Sequence, residues 1–248
     1  MKALELHLVA AHLEGLEETI IARLIDRAQF KVNAAAYEAG KSGFEGADGE
    51  SLFALRLHHH EEMDARFGRF CVPEERPFTS SLPSPRRTVT LPPTGLAIDD
   101  YDLVNVTADI KQAYLAMLPR LCRPGDDGQY GSSVEHDVHA LQAISRRVHY
   151  GALYVAESKY RSQPALFNEL IHRRDSTALT QQLTRPQVEE EILARVRQKV
   201  GQLQAGVNGE IRTVIDPAVV LAFYRECIIP LTKKGEVLYL MHRKAATA

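Results

Sequence analysis

Tryptophan is absent from the 248 residues, and cysteine occurs only three times, as Cys71, Cys122 and Cys227. An odd number of widely spaced cysteines with no CxxC pair excludes a disulfide scaffold and predicts reduced thiols in a cytoplasmic protein. No apolar run approaches the ~18 residues that cross a bilayer, so a membrane-spanning role is excluded. An excess of basic charge is also missing: 30 Lys+Arg stand against 32 Asp+Glu, for a net charge of −2. A nucleic-acid partner would leave a basic stripe, and none is present. The N-terminal stretch carries Glu5, Glu14, Glu17 and Glu18 where a secretory or transit signal would carry basic residues, so no such signal is expected. Period-two alternation of useful length and repeats at a fixed period are both absent, which argues against a β fold or a solenoid.

What remains is helical. Leu4, Leu8, Leu13, Leu16, Ile20, Leu24 and Ile25 recur at spacings of three to five, which predicts one amphipathic helix over the first thirty residues. The same pattern predicts helices over 51–67 and 99–121. From Ser132 to about Arg161, the row Val138, Leu141, Ile144, Val148 and Val155 predicts the longest helix, of roughly eight turns. Thr184, Pro186 and Gln187 read as a capping box opening the next helix, and Asp216-Pro217 as a second N-cap. Pro230 is expected to interrupt the last helix. Residues 73–93 hold half of the twelve prolines and predict an ordered, non-helical surface loop. No polar linker divides two self-sufficient sets of helices, so the fold class is all-α, a single-domain multi-helix bundle over 1–248 around one very long central helix.

Several residue groups invite a functional reading. Gly40-Lys41-Ser42 lacks the earlier glycine of a phosphate loop, Ala35 standing in its place. His58-His59-His60-Glu61-Glu62 offers metal-ligand types, yet consecutive helical side chains diverge by about 100° and cannot all meet one ion. A solvated helix face is the better reading, and no metal site is expected. Thr232 and Glu236 share one helix face, while Glu189 and Glu190 lie in the first turns of a capped helix, where surface acids are common. Arg146-Arg147 lie within a helix that must be largely buried. A basic pair there needs an anionic partner from the protein or from a ligand.

The stretch Leu141-Gln142-Ala143-Ile144-Ser145-Arg146-Arg147-Val148-His149-Tyr150-Gly151, followed by Val155-Ala156-Glu157-Ser158-Lys159, resembles the LQxxSRRxHYGxFVAExK helix of the all-helical chorismate mutases of fungi and plants. Further matches are Pro124-Gly125-Asp126-Asp127-Gly128, Leu24 to Phe30, Val188-Glu189-Glu190, and Ile229-Pro230-Leu231-Thr232-Lys233 on through Glu236 to Leu240. They follow the family's order along essentially the whole chain.

The resemblance implies rearrangement of chorismate to prephenate without a cofactor, on the way to phenylalanine and tyrosine. By position, Arg147 resembles the arginine that pairs with a substrate carboxylate, and Lys159 the lysine that donates to the ether oxygen. Glu236 resembles the glutamate that hydrogen-bonds the same oxygen when protonated, which requires a raised pKa and favours mildly acidic pH. Glu189 matches the glutamate that binds the substrate hydroxyl, and Thr232 a threonine of the carboxylate pocket. The family's homodimers are regulated by aromatic amino acids between subunits. Arg69, Gly131 and Ser132 fall at that position, implying a tyrosine or tryptophan effector, although the fungal double arginine is Gly68-Arg69 here.

Two departures carry expectations of their own. Ala10 occupies the place of a first-helix arginine that is a second carboxylate ligand, and Arg185 is expected to compensate. Twelve residues separate Arg147 from Lys159, one more than in the family, which would turn Lys159 about 120° away on a regular helix. A π-bulge near Ala152-Leu153 is expected to absorb the extra residue. The competing reading is a non-catalytic relative that keeps the fold for binding or regulation. Retention of Arg147, Lys159, Glu189, Thr232 and Glu236 together favours catalysis.

Overall fold

The computed structural model describes residues 5–41 and 43–244, so Leu4 and Ser42 lie outside the described residues. Among these the elements are helical, with no strand. Ten α-helices follow one another: α1 Leu6–Arg27, α2 Leu52–Phe67, α3 Thr107–Leu121, α4 Tyr130–Tyr150, α5 Ala156–Ser162, α6 Pro164–His172, α7 Ser176–Leu183, α8 Pro186–Gln204, α9 Pro217–Phe223 and α10 Ile229–His242. Two π-turns, Gly151–Val155 and Tyr224–Ile228, join α4 to α5 and α9 to α10 without a break. The expected longest helix therefore runs from Tyr130 to Ser162.

Most expected helices form where amphipathic periodicity places them, but three expectations need correcting. The helix over 99–121 begins only at Thr107, because the Val106 N–H is drawn away to His149 Nε2 at 3.1 Å and the Asn105 side chain accepts from Thr107 N. Residues Tyr101–Val104 form a separate 3₁₀ turn. Thr184 does not cap α8: its hydroxyl donates back to the Thr180 carbonyl at 2.7 Å, and Arg185 stands at the N-cap without a side-chain bond. Pro230 does not break the last helix, since the π-turn before it absorbs the misfit and Pro230 sits in the first turn of α10. Helices α6 and α7 were not anticipated; Asp175 caps α7 by accepting from Ala178 N at 2.9 Å. Asp216 caps α9 as expected, accepting from Ala218 N at 2.8 Å.

The proline-rich segment is non-helical and tied down. The buried Glu61 carboxylate accepts from the N–H groups of Phe78 and Thr79, and Arg76 donates to the carbonyls of Phe70 and Val72. Two apolar clusters organise the chain. One gathers Ile20, Leu24, Ile110, Leu141, Val148, Val196, Val220 and Ile228, the other Val104, Ala152, Leu153, Tyr160, Phe167, Leu179 and Tyr239. The continuous α4–α5 helix threads both, and Arg147, Lys159, Thr232 and Glu236 lie where it passes from one to the other. Arg27 is wholly buried in the first cluster, yet it is fully partnered by Asp137 at 2.6 Å, Tyr37 and backbone carbonyls.

Candidate active site

Arg147 occupies the last turn of α4 and is only 3% exposed. Its Nη1 donates to Thr232 Oγ1 at 3.4 Å, while its Nε is buried with no partner. Among the described residues it makes no ion pair, and burial pushes its pKa down. Neighbouring Arg146 points elsewhere, toward Glu75 at 3.4 Å. The protein thus neutralises one member of the basic pair and leaves the other, the more deeply buried one, without a counter-ion. Glu17, the nearest buried carboxylate in α1, is engaged by Arg195 at 2.8 and 2.9 Å and by Lys199 at 3.3 Å.

Lys159, in α5, donates from Nζ to Glu236 Oε2 at 3.0 Å and to the Leu183 carbonyl at 3.1 Å. It reaches the same side as Arg147 because the Gly151–Val155 π-turn absorbs the additional residue. Glu236, in α10, is 6% exposed. Burial raises its pKa, against the opposing pull of Lys159, Lys233 and Arg147. Thr232 lies four residues earlier on the same face, its hydroxyl also donating to the Ile228 carbonyl at 2.7 Å. Glu189, in the first turn of α8, accepts from Lys233 Nζ at 2.8 Å.

Helix crossing is tight here. A Cβ placed on Gly151 would come within 2.7 Å of Thr232 Cγ2 and 3.4 Å of Arg147 Nη1, so only glycine lets α10 approach this closely. Arg147, Thr232, Lys159 and Glu236 are thereby gathered at one junction, with Glu189 held beside it through Lys233. Arg185 is not gathered there: its side chain is exposed and its contact is with the Thr184 carbonyl at 3.5 Å. Ala10 is exposed on α1.

Tyr224 was missed by sequence reasoning. It is fully buried, its hydroxyl has no partner, and it interacts electrostatically with Arg147. Eight residues on a regular helix would set it ~80° from Thr232; the π-turn Tyr224–Ile228 reduces this to ~20°. The spacing concealed the signal.

Arg69 donates to Asp64 at 2.8 Å, Gln142 at 2.6 Å and Glu75 at 2.9 Å. Gly131 and Ser132 are exposed in the first turn of α4, on the order of 15 Å along the helix from Gln142. Within one chain these three residues do not form a single site. Among the described residues no group of three metal-ligating side chains assembles; His60 lies 3.4 Å from Asp64 and stacks edge-on with His139.

No model of a known protein family matches the chain. The chorismate mutase of Schizosaccharomyces pombe is 37% identical over 250 residues, covering 97% of this chain and 96% of that protein. The chain belongs to the chorismate mutase family. The chorismate mutase of Candida albicans, solved in complex with L-tryptophan, superposes with a TM-score of 0.88 at 33% identity, covering 97% of this chain and 92% of that one. A plant chorismate mutase with phenylalanine bound in its allosteric site gives 0.86 at 34% identity, covering 98% and 97%. The all-helical architecture and the order of elements are those of chorismate mutases of fungi and plants.

Proposed function

We propose that the chain rearranges chorismate to prephenate at the junction of α4, α5, α8 and α10, acting as an isomerase with no cofactor. The observation that carries this reading is the buried, unneutralised Arg147 beside the Lys159–Glu236 pair. A buried cation without a counter-ion is costly, and a dianionic substrate supplies the missing charge. Arg147 and Thr232 hold one carboxylate. Lys159 and protonated Glu236, whose head groups meet at 3.0 Å, converge on a single acceptor and stabilise the negative charge that develops on the ether oxygen as it is cleaved. Glu189, steadied by Lys233, takes the substrate hydroxyl. The reaction is unimolecular, so holding the substrate in its compact diaxial form supplies much of the acceleration.

Arg185, at the N-cap of α8, is proposed as the second carboxylate ligand in place of the arginine missing at Ala10, swinging in from its exposed position. Turnover of chorismate by the purified protein tests the whole reading. Lys159→Met is expected to lower kcat about 100-fold or more. Arg185→Ala is expected to lower kcat/KM about ten- to a hundredfold, the worth of one charge-assisted contact; an unchanged value removes Arg185 from the site.

We further propose a homodimer in which Arg69 of one subunit and Gly131 and Ser132 of the other face one aromatic amino acid, tyrosine or tryptophan. The support is that solved neighbours hold L-tryptophan, phenylalanine or tyrosine. Sedimentation should show a dimer, and Arg69→Ala should abolish any effect of these amino acids on rate. A cytoplasmic location is supported by the three free thiols and by a cytosolic maize relative.

A further inference from the structure

The π-turn that returns Lys159 to the site pushes a side chain outward, against α10. Ala152, within that turn and wholly buried, seats its methyl on the bare Cα of Gly235. A Cβ on Gly235 would lie 2.5 Å from Ala152 Cβ, whereas its next neighbours, Val104 Cγ1 and Ala152 Cα, would be at 3.7 and 3.8 Å. Three contacts mark this crossing: Gly151 faces Thr232, Ala152 faces Gly235, and the long Lys159 side chain reaches Glu236.

We infer that Ala152 and Gly235 are positioning residues, their contact fixing the separation of the π-turn from α10 and, through it, the reach of Lys159 to Glu236. The inference rests on the proposed roles of those two residues in the rearrangement. Ordinary carbon contacts are 3.4–4 Å, so a methyl on Gly235 forces the helices apart by about 1 Å. A misplacement of that size costs on the order of a hundredfold in rate when it separates groups that act in the transition state.

Gly235→Ala is therefore expected to lower kcat about ten- to a hundredfold with KM changed less than about threefold. Its pH profile should move as well. Burial raises the Glu236 pKa and Lys159 from α5, Lys233 from α10 and Arg147 from α4 oppose that rise. Drawing Lys159 away lets the pKa climb further, so the limb on which activity falls with rising pH shifts upward. The reciprocal swap, Ala152→Gly with Gly235→Ala, leaves only the 3.7 and 3.8 Å contacts and offsets one helix-propensity change against the other. It should restore kcat to within about threefold and return the pH limb, a rescue that general destabilisation would not give. Ala152→Gly alone adds no clash and removes the spacer; it should lower kcat several-fold, and it carries the test if Gly235→Ala does not fold.

Native kcat in Ala152→Gly or Gly235→Ala overturns the inference, as does a folded swap variant as slow as Gly235→Ala. Glu236→Gln and Lys159→Met are measured alongside. If they too keep native turnover, the assignment of the site fails; if they lose it while the Ala152 and Gly235 variants do not, only the positioning role fails.

Discussion

Two buried arginines show how residues of one type serve opposite ends. Arg27 is closed in by Asp137, two tyrosine hydroxyls around that carboxylate, and backbone carbonyls, so its charge is wholly used within the fold. Arg147 retains an unpartnered Nε and no ion pair among the described residues. Removing Arg27 strands a buried carboxylate, and Arg27→Met is expected to cost about 3–5 kcal/mol by urea denaturation. Removing Arg147 strands nothing comparable: Arg147→Met should leave the urea midpoint unchanged or raised while kcat/KM falls about ten- to a hundredfold or more. A large loss of stability in Arg147→Met would contradict its assignment as a ligand residue. His149 adds a pH term. Its Nε2 accepts from Val106 N–H, so its proton lies on Nδ1 facing the Ser145 carbonyl, and burial pushes its pKa from 6.5 down to about 4. With the folded pKa depressed, the folded state disfavours the charged ring; this contribution is complete above pH 6.5 and is lost as pH falls toward 4. It amounts to about 3 kcal/mol, so the urea midpoint should drop between pH 6.5 and 4, and a flat midpoint would contradict the assignment.

At the scale of elements, the two π-turns decide which side chains meet. Each inserts one residue into a long helix, and each lies immediately beside the site, returning Lys159 in one case and Tyr224 in the other to the face shared with Arg147 and Thr232. The first was legible from the sequence because twelve residues between Arg147 and Lys159 disagree with regular helical phase. The second was not, since Tyr224 carried no spacing clue until its partner face was known. Helix ends were read with mixed success for a similar reason. Asp216 caps α9, whereas Thr184 has a competing acceptor in the Thr180 carbonyl, one turn back in α7, a helix that periodicity had not revealed. Asp216→Ala should therefore cost about 1 kcal/mol, and Thr184→Ala only a few tenths, in thermal or urea unfolding. An equal cost for the two would contradict the observed caps.

Across the whole molecule, the continuous helix from Tyr130 to Ser162 ties one apolar cluster to the other, and Arg147, Lys159, Thr232 and Glu236 lie at the passage between them. The all-helical class was readable in advance, since long amphipathic rows encode it, and several motifs in fixed order marked Arg147, Lys159, Thr232, Glu189 and Glu236 as candidates, which the fold brings to one junction. The closeness of the helices at Gly151 and Gly235 was not, because contacts between residues some 80 positions apart leave no local pattern. Glu236 is where burial, helix crossing and chemistry meet, and its protonation is the central claim. The direct test is the rate of prephenate formation from chorismate across mildly acidic to neutral pH, in the native protein and in Glu236→Gln. The account predicts activity that is highest below the raised pKa of Glu236, falls as pH rises through it, and loses that limb in Glu236→Gln. A folded native protein without turnover, or the same pH limb in both proteins, would contradict it.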